Sequence, residues 1–127
     1  SKGNYLTLVT WGAMVQKSSE AVQELNLEKD IVEIIDLRTL NPIDFQILDT
    51  SIKKTGKVLI VHEDNLTNGP GAEIAAKISN RYFEYLDGPI RRIAAKDSPI
   101  PFNWVIEEKI LPQTKDISYA IEELLEY

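Results

Sequence analysis

Four short apolar runs, each followed by a segment with helical periodicity, set what this chain can fold into. The runs are "LTLVT" (Leu6 to Thr10), "DIVEIIDL" (Asp30 to Leu37), "KVLIVHE" (Lys57 to Glu63) and "PIRRIAAK" (Pro89 to Lys96). Each is short, rich in β-branched residues and bounded by polar or turn residues. The third is almost continuously apolar, the pattern of a parallel strand buried on both faces. The order read along the chain is β-α-β-α-β-α-β-loop-α. Strict alternation of this kind calls for parallel strands joined by right-handed crossovers and covered by helices on both faces. The fold class is therefore α/β: three layers, with an open parallel sheet of about four strands.

The helical segments carry their own punctuation. The first follows Gly12 and puts Val15, Ser19, Val22 and Leu25 on one side. In "LNPIDFQILDTSIKKTG", Asn41 is the expected N-cap and Pro42 the first helical residue. Gly56 is expected to close that helix. After Gly71, the residues Ile74, Ala75, Ile78, Tyr82, Tyr85 and Leu86 recur at helical spacing. "DSPIPFNW" reads as a loop with prolines, and "WVIEEKIL" as a short helical turn. The last helix, from about Lys115, aligns Ile117, Ala120, Ile121, Leu124 and Leu125.

Composition narrows the function classes. A length of 127 residues fits one domain, spanning residues 1–127, and 43% apolar residues suffice for one core. No apolar run reaches the roughly 18 residues of a membrane span. There is no signal-peptide pattern. There is no cysteine, hence no disulfide framework and no thiolate chemistry. The formal charge of −6 argues against nucleic acid, which needs a basic footprint. It suits solubility and, locally, a basic protein partner.

The stretch "VLIVHEDNLTNGPGAEIAAKI" (Val58 to Ile78) is the one that looks most like a site. A dinucleotide fingerprint would need a third glycine where Ile74 stands, and Pro70 has no N–H to offer a phosphate. The Gly-Lys-Ser/Thr of a P-loop is absent. Gly69 and Gly71 thus read as turn residues that reverse the chain into its helix. His62, the only histidine, stands at the carboxyl end of a parallel strand, the edge where ligands sit in open α/β sheets. With Glu63 and Asp64 it could form an acid/base or metal cluster. Adjacent strand residues face opposite ways, however, so His62 and Glu63 should not converge. A polar strand end contacting a neighbouring loop or subunit is the better reading. Glu107, Glu108, Glu122, Glu123 and Glu126 fall on exposed faces and read as solvated charges. No catalytic residue, cofactor ligand or metal ligand emerges from the residues themselves.

Six stretches taken in order resemble one family: "TLVTWGAMV", "DLRTLNPID", "KKTGKVLIVHED", "GAEIAAKI", "LDGPIRRIAAKDSPIPFN" and "LPQTKDISYAIEELLEY". That family is the C-terminal domain of the β subunit of 2-oxoacid dehydrogenase E1 components, thiamine-diphosphate enzymes of the transketolase superfamily. "HEDNLTNGPGAEIA" is more similar to the branched-chain (2-oxoisovalerate) type than to the pyruvate type, which is the alternative. A free-standing, non-enzymatic α/β interaction module is the alternative of another class.

The resemblance implies a division of labour. In the family, thiamine diphosphate and Mg²⁺ are held by other domains, so this piece is expected to be a fragment that binds neither and catalyses nothing alone. Its implied partners are other E1 domains, namely the α part and the β symmetry mate, and the basic peripheral subunit-binding domain of the E2 acyltransferase. The acidic residue before the proline that opens the fourth strand and the C-terminal carboxylate contact E2 in family members. The matching positions here are Asp87 and Tyr127. His62, Glu63, Gly69 and Gly71 become candidates for subunit interfaces. Pro70 departs from the aromatic or glycine usual there. The implied setting is bacterial cytoplasm or, alternatively, the mitochondrial matrix. The family's domain has five strands in the order 1-3-2-4-5, the first antiparallel. Its first strand lies upstream of "GNYLTLVT", so four parallel strands in the order 2-1-3-4 are expected here. "IVEIIDL" would then be an uncovered edge and a template for pairing with another chain.

Overall fold

The computed structural model describes residues 2–96 and 109–127. The loop "DSPIPFNW", Glu107 and Glu108 lie outside the described residues, as does most of "WVIEEKIL".

β1 (Leu6–Thr10), β2 (Val32–Asp36), β3 (Val58–Asn65) and β4 (Arg91–Ala95) form one sheet in the order β2-β1-β3-β4, and each neighbouring pair is parallel. The expected order is the observed one, with β2 and β4 at the edges. The central strands show why their sequences are apolar on both faces. Leu6, Leu8, Leu59 and Val61 point into one core together with Met14, Ala21, Ile117, Ile121 and Leu124. Val9, Val58 and Ile60 point into the other, with Leu48, Ile52, Ile74, Ile78 and Tyr82. So α1 (Met14–Glu24) and α4 (Thr114–Leu125) cover one face. α2 (Phe45–Thr55) and α3 (Pro70–Tyr82) cover the other. A one-turn 3₁₀ helix at Phe83–Tyr85 leads from α3 toward β4.

Three helix readings need correction. The α1 stripe is Met14, Ser18 and Ala21, with Val22 and Leu25 half-buried beside it. It is turned by about one residue from the expected Val15 and Ser19 line, because α1 packs on both the sheet and α4. α2 starts at Phe45 rather than Pro42. Its N-cap is Asp44, whose carboxylate accepts from the Gln46 and Ile47 N–H groups at 3.0 and 3.4 Å. The Asn41–Pro42 peptide is cis and belongs to the preceding turn. Gly56 closes α2 with φ +67°, as expected. Tyr85 and Leu86 are not on α3, which ends at Tyr82; Tyr85 stands 40% exposed in the 3₁₀ turn and Leu86 follows it in extended conformation.

α2 is also held to the sheet by hydroxyls. Thr7 Oγ1 lies 2.7 Å from both Ser51 Oγ and Thr55 Oγ1. Ser51 donates onward to Glu33 Oε2 at 2.6 Å, and Lys54 pairs with the same oxygen at 2.9 Å. A buried chain of polar groups thus runs from the centre of the sheet to its β2 edge, each member partnered.

Candidate functional site

The carboxyl end of β3 departs from regular pairing. β3 advances from Val61 to Asn65 while β4 advances only from Ile93 to Ala95, so the ladder is interrupted between them. Bulges of this sort re-aim side chains. His62, at the start of the irregular stretch, is fully buried, whereas Glu63 and Asp64 are exposed. Glu63 and His62 therefore do not converge.

His62 is enclosed by two segments. Its ring stacks on Trp11, with centroids 5.1 Å apart and planes 7° off parallel. Trp11 follows β1, and Gly12 (φ +60°) turns the chain away beneath it. On the other side stands the start of α3. A Cβ on Gly71 would lie 2.2 Å from His62 Nε2, and one on Gly69 would lie 1.9 Å from the Asn65 carbonyl oxygen. The glycines are thus required by packing: the helix entry sits directly on the imidazole. Pro70, at the first helical position, supplies a fixed φ where no donor is needed. Among the described residues neither ring nitrogen of His62 has a hydrogen-bond partner. Burial holds the imidazole below its ordinary value of 6.5, with Asp64 opposing and Arg92 adding to the shift. Two features marked separately in the sequence, His62 and the Gly-Pro-Gly turn, are one packed unit. Trp11, its third member, was missed; an aromatic at the carboxyl end of a central strand was the available signal.

The second candidate region lies across the molecule. Asp87 is exposed, and its backbone N–H donates to the Gly56 carbonyl at 2.7 Å, tying the residue to the end of α2. The next residue, Gly88, faces the Tyr127 ring: a Cβ there would be 3.1 Å from Tyr127 Cγ. Asp87 and Tyr127 are therefore brought to one corner of the surface, at the end of α4. Beside them a groove of about 740 Å³ runs along Ala75, Ser79, Phe83, Leu86 and Ile90. Phe83 on its rim is 77% exposed, and Glu84 and Asp87 add negative charge. A concave apolar strip with an acidic border is suited to a basic protein surface with an apolar anchor. Nearby, Glu123 pairs with Arg91 across α4 and β4, with both side chains still partly open to solvent. No group of three potential metal ligands occurs among the described residues.

An open parallel sheet with this order and helix pairs on both faces defines a three-layer domain of the α/β class. Comparison with known proteins gives the family. The family model "Transketolase, C-terminal domain" matches residues 1–117, and the chain belongs to that family. The chain is 42% identical over 126 residues to the pyruvate dehydrogenase E1 component subunit beta of Staphylococcus epidermidis. It is 40% identical to the subunit of the same name in Staphylococcus aureus. It spans 38% of the length of these relatives, and 99% of it is matched. Among solved structures, it is similar to a split-gene transketolase described as an inactive beta4 tetramer, with TM-score 0.80 and 27% identity. That match covers 98% of this chain and 39% of the other. A 2-oxoglutarate:ferredoxin oxidoreductase from Magnetococcus marinus shares the fold alone, at TM-score 0.62 and 14% identity.

Proposed function

We propose that this chain is the C-terminal domain of a thiamine-diphosphate-dependent 2-oxoacid dehydrogenase E1 β subunit of the pyruvate type, and that it serves subunit assembly and E2 docking rather than bond making. The observation that carries this reading is the match of nearly the whole chain to subunits named for pyruvate dehydrogenase E1. Those names favour the pyruvate-type alternative over the branched-chain reading of "HEDNLTNGPGAEIA". The physical reason is plain: that stretch packs His62 under a helix, and such packing carries no information about a 2-oxoacid.

The described residues do not fit the cofactor. Pro70 interrupts the N–H groups of the one glycine turn that could cradle a diphosphate, and His62 fills the space beneath it. Thiamine diphosphate and Mg²⁺ are therefore assigned to the rest of the parent enzyme, with the α part and the β symmetry mate as further partners. The bacterial relatives support a bacterial cytoplasmic setting. No helix among the described residues is long and apolar enough to cross a membrane.

For docking, the supporting observation is the corner shared by Asp87 and Tyr127. Opposite charges there would steer a basic E2 subunit-binding domain and fix its register. Asp87→Ala in the intact E1 should weaken binding to the cognate domain, more at low salt than at high salt. Loss of one member of a desolvated charge pair costs about 2–5 kcal/mol, and of a rim pair much less. Calorimetric titration reads the change; equal affinity in both proteins would remove Asp87 from the docking site. Turnover of the intact enzyme on pyruvate against a branched-chain 2-oxoacid decides the substrate.

A further inference from the structure

We propose that Gly56 is a positioning residue for docking: it fixes where Asp87 holds its carboxylate for an arginine of the E2 subunit-binding domain. This role rests on Asp87 being a docking residue, and adds what aims its charge. Gly56 closes α2 with φ +67°, and its N–H donates to the Ile52 carbonyl at 2.9 Å. It therefore stands where the chain leaves α2 for β3. Asp87 arrives at the same point from the far end of α3 and the 3₁₀ turn, just before β4.

The two residues meet twice. The Asp87 backbone N–H donates to the Gly56 carbonyl at 2.7 Å. The Asp87 carboxylate occupies the space that a side chain on Gly56 would need: a Cβ there would overlap Oδ2 and stand 2.9 Å from Cγ. It would also lie 3.0 Å from the Tyr85 carbonyl oxygen. That carbonyl is backbone and cannot turn aside. The carboxylate can, by rotation about χ1, because Asp87 is exposed. A side chain at this position therefore displaces the charge before it displaces the chain. On the other side the loop is gripped at Gly88, which packs on the Tyr127 ring.

The seat is not one that a carboxylate takes for its own stability. The C-terminal end of a helix carries about half a negative charge, so an anion beside it is disfavoured. The two cations in the last turn of α2 face elsewhere: Lys53 pairs with Asp49 at 3.0 Å and Lys54 with Glu33 at 2.9 Å. Asp87 and the helix end thus present negative charge side by side. A guanidinium suits that surface. Its planar fork takes a carboxylate in two parallel hydrogen bonds, and its charge offsets the helix end as well. Bidentate pairing demands a fixed orientation of the carboxylate, and Gly56 sets that orientation.

A double-mutant cycle tests this, read by calorimetric titration of intact E1 with the cognate E2 subunit-binding domain, well below the melting temperature of every variant. Gly56→Asn is the probe, because asparagine accepts a positive φ better than most residues and still adds the Cβ. It should weaken binding about tenfold. In the Asp87→Ala background the same substitution should change nothing, since no carboxylate is left to displace. A merely structural role would weaken binding alike in both backgrounds. Asp87→Glu keeps the charge but moves it, and should also bind more weakly than the parent. It leaves Gly56 untouched, so it separates position from charge even where Gly56→Asn folds poorly. Unchanged binding on Gly56→Asn, equal losses in the two backgrounds, or parental affinity in Asp87→Glu each overturns the role of Gly56 and leaves docking by Asp87 standing. Unchanged binding on Asp87→Ala overturns both.

Discussion

At Gly71 the backbone of α3 comes so close to His62 that no side chain fits between them. Gly71→Ala must therefore move the helix entry or the imidazole, and neither is free to move. The ring is clamped from its other side by Trp11. Overpacking of this kind costs about 1–3 kcal/mol, read as a lower midpoint in urea unfolding. An unchanged midpoint would mean that the helix start is looser than its contacts imply. The same burial makes His62 a source of pH-dependent stability. Its folded value lies below the 6.5 of a free imidazole, chiefly through burial. The unfolded chain therefore takes up the proton first. Stability from this residue is complete above about pH 6.5 and is lost as pH falls below it. Thermal melts between about pH 7 and 5 should show that decline, and His62→Leu should flatten it. Glu33 acts in a separate window. Burial raises its carboxyl, but the Ser51 hydroxyl and the Lys54 ammonium outweigh this and hold it below its ordinary 4.5. Its contribution is present above that value and fades only at more acid pH.

At the scale of elements, α2 shows what binds a helix to a sheet beyond apolar contact. Leu48 and Ile52 bury fully against the sheet, while Ser51 and Thr55 beside them reach Thr7. Ser51→Ala removes the hydroxyl that links Thr7 to Glu33. A loss of about 1–3 kcal/mol is expected, the cost of leaving buried polar groups short of a partner. The variant should also titrate Glu33 at higher pH than the parent, which a simple packing defect would not do. NMR titration of the Glu33 carboxyl distinguishes the two. Where α2 begins was harder to read from the sequence. "NPID" offers two capping residues, and Pro42 after Asn41 follows a common helix-start rule. The chain uses Asp44 instead, whose carboxylate accepts from the Gln46 and Ile47 N–H groups. Local pattern proposes several starts; the docking of the helix on β1 and β2 chooses one.

Across the whole molecule, charge is unevenly placed. An acidic corner gathers Glu84 and Asp87 beside Tyr127. A net charge of −6 does not show it, since it sums over the whole chain. Sequence by itself determined the class of fold. A continuously apolar "VLIV" is stable only with both faces covered, and the alternation with amphipathic helices then leaves a three-layer α/β sheet as the economical solution. It also determined the sites of the strands, the buried stripe Ile74, Ile78 and Tyr82 of α3, the face of α4 and the closing glycine of α2, because these depend on neighbours within a turn or two. The strand order agreed with what the family resemblance implied. What only the tertiary structure decided are the meetings between distant segments. Trp11, His62 and Gly71 form one packed unit, Asp87 meets Gly56, and Gly88 meets Tyr127. Each depends on crossover connections that bring residues tens of positions apart into contact, and periodicity along a chain carries no record of such distances.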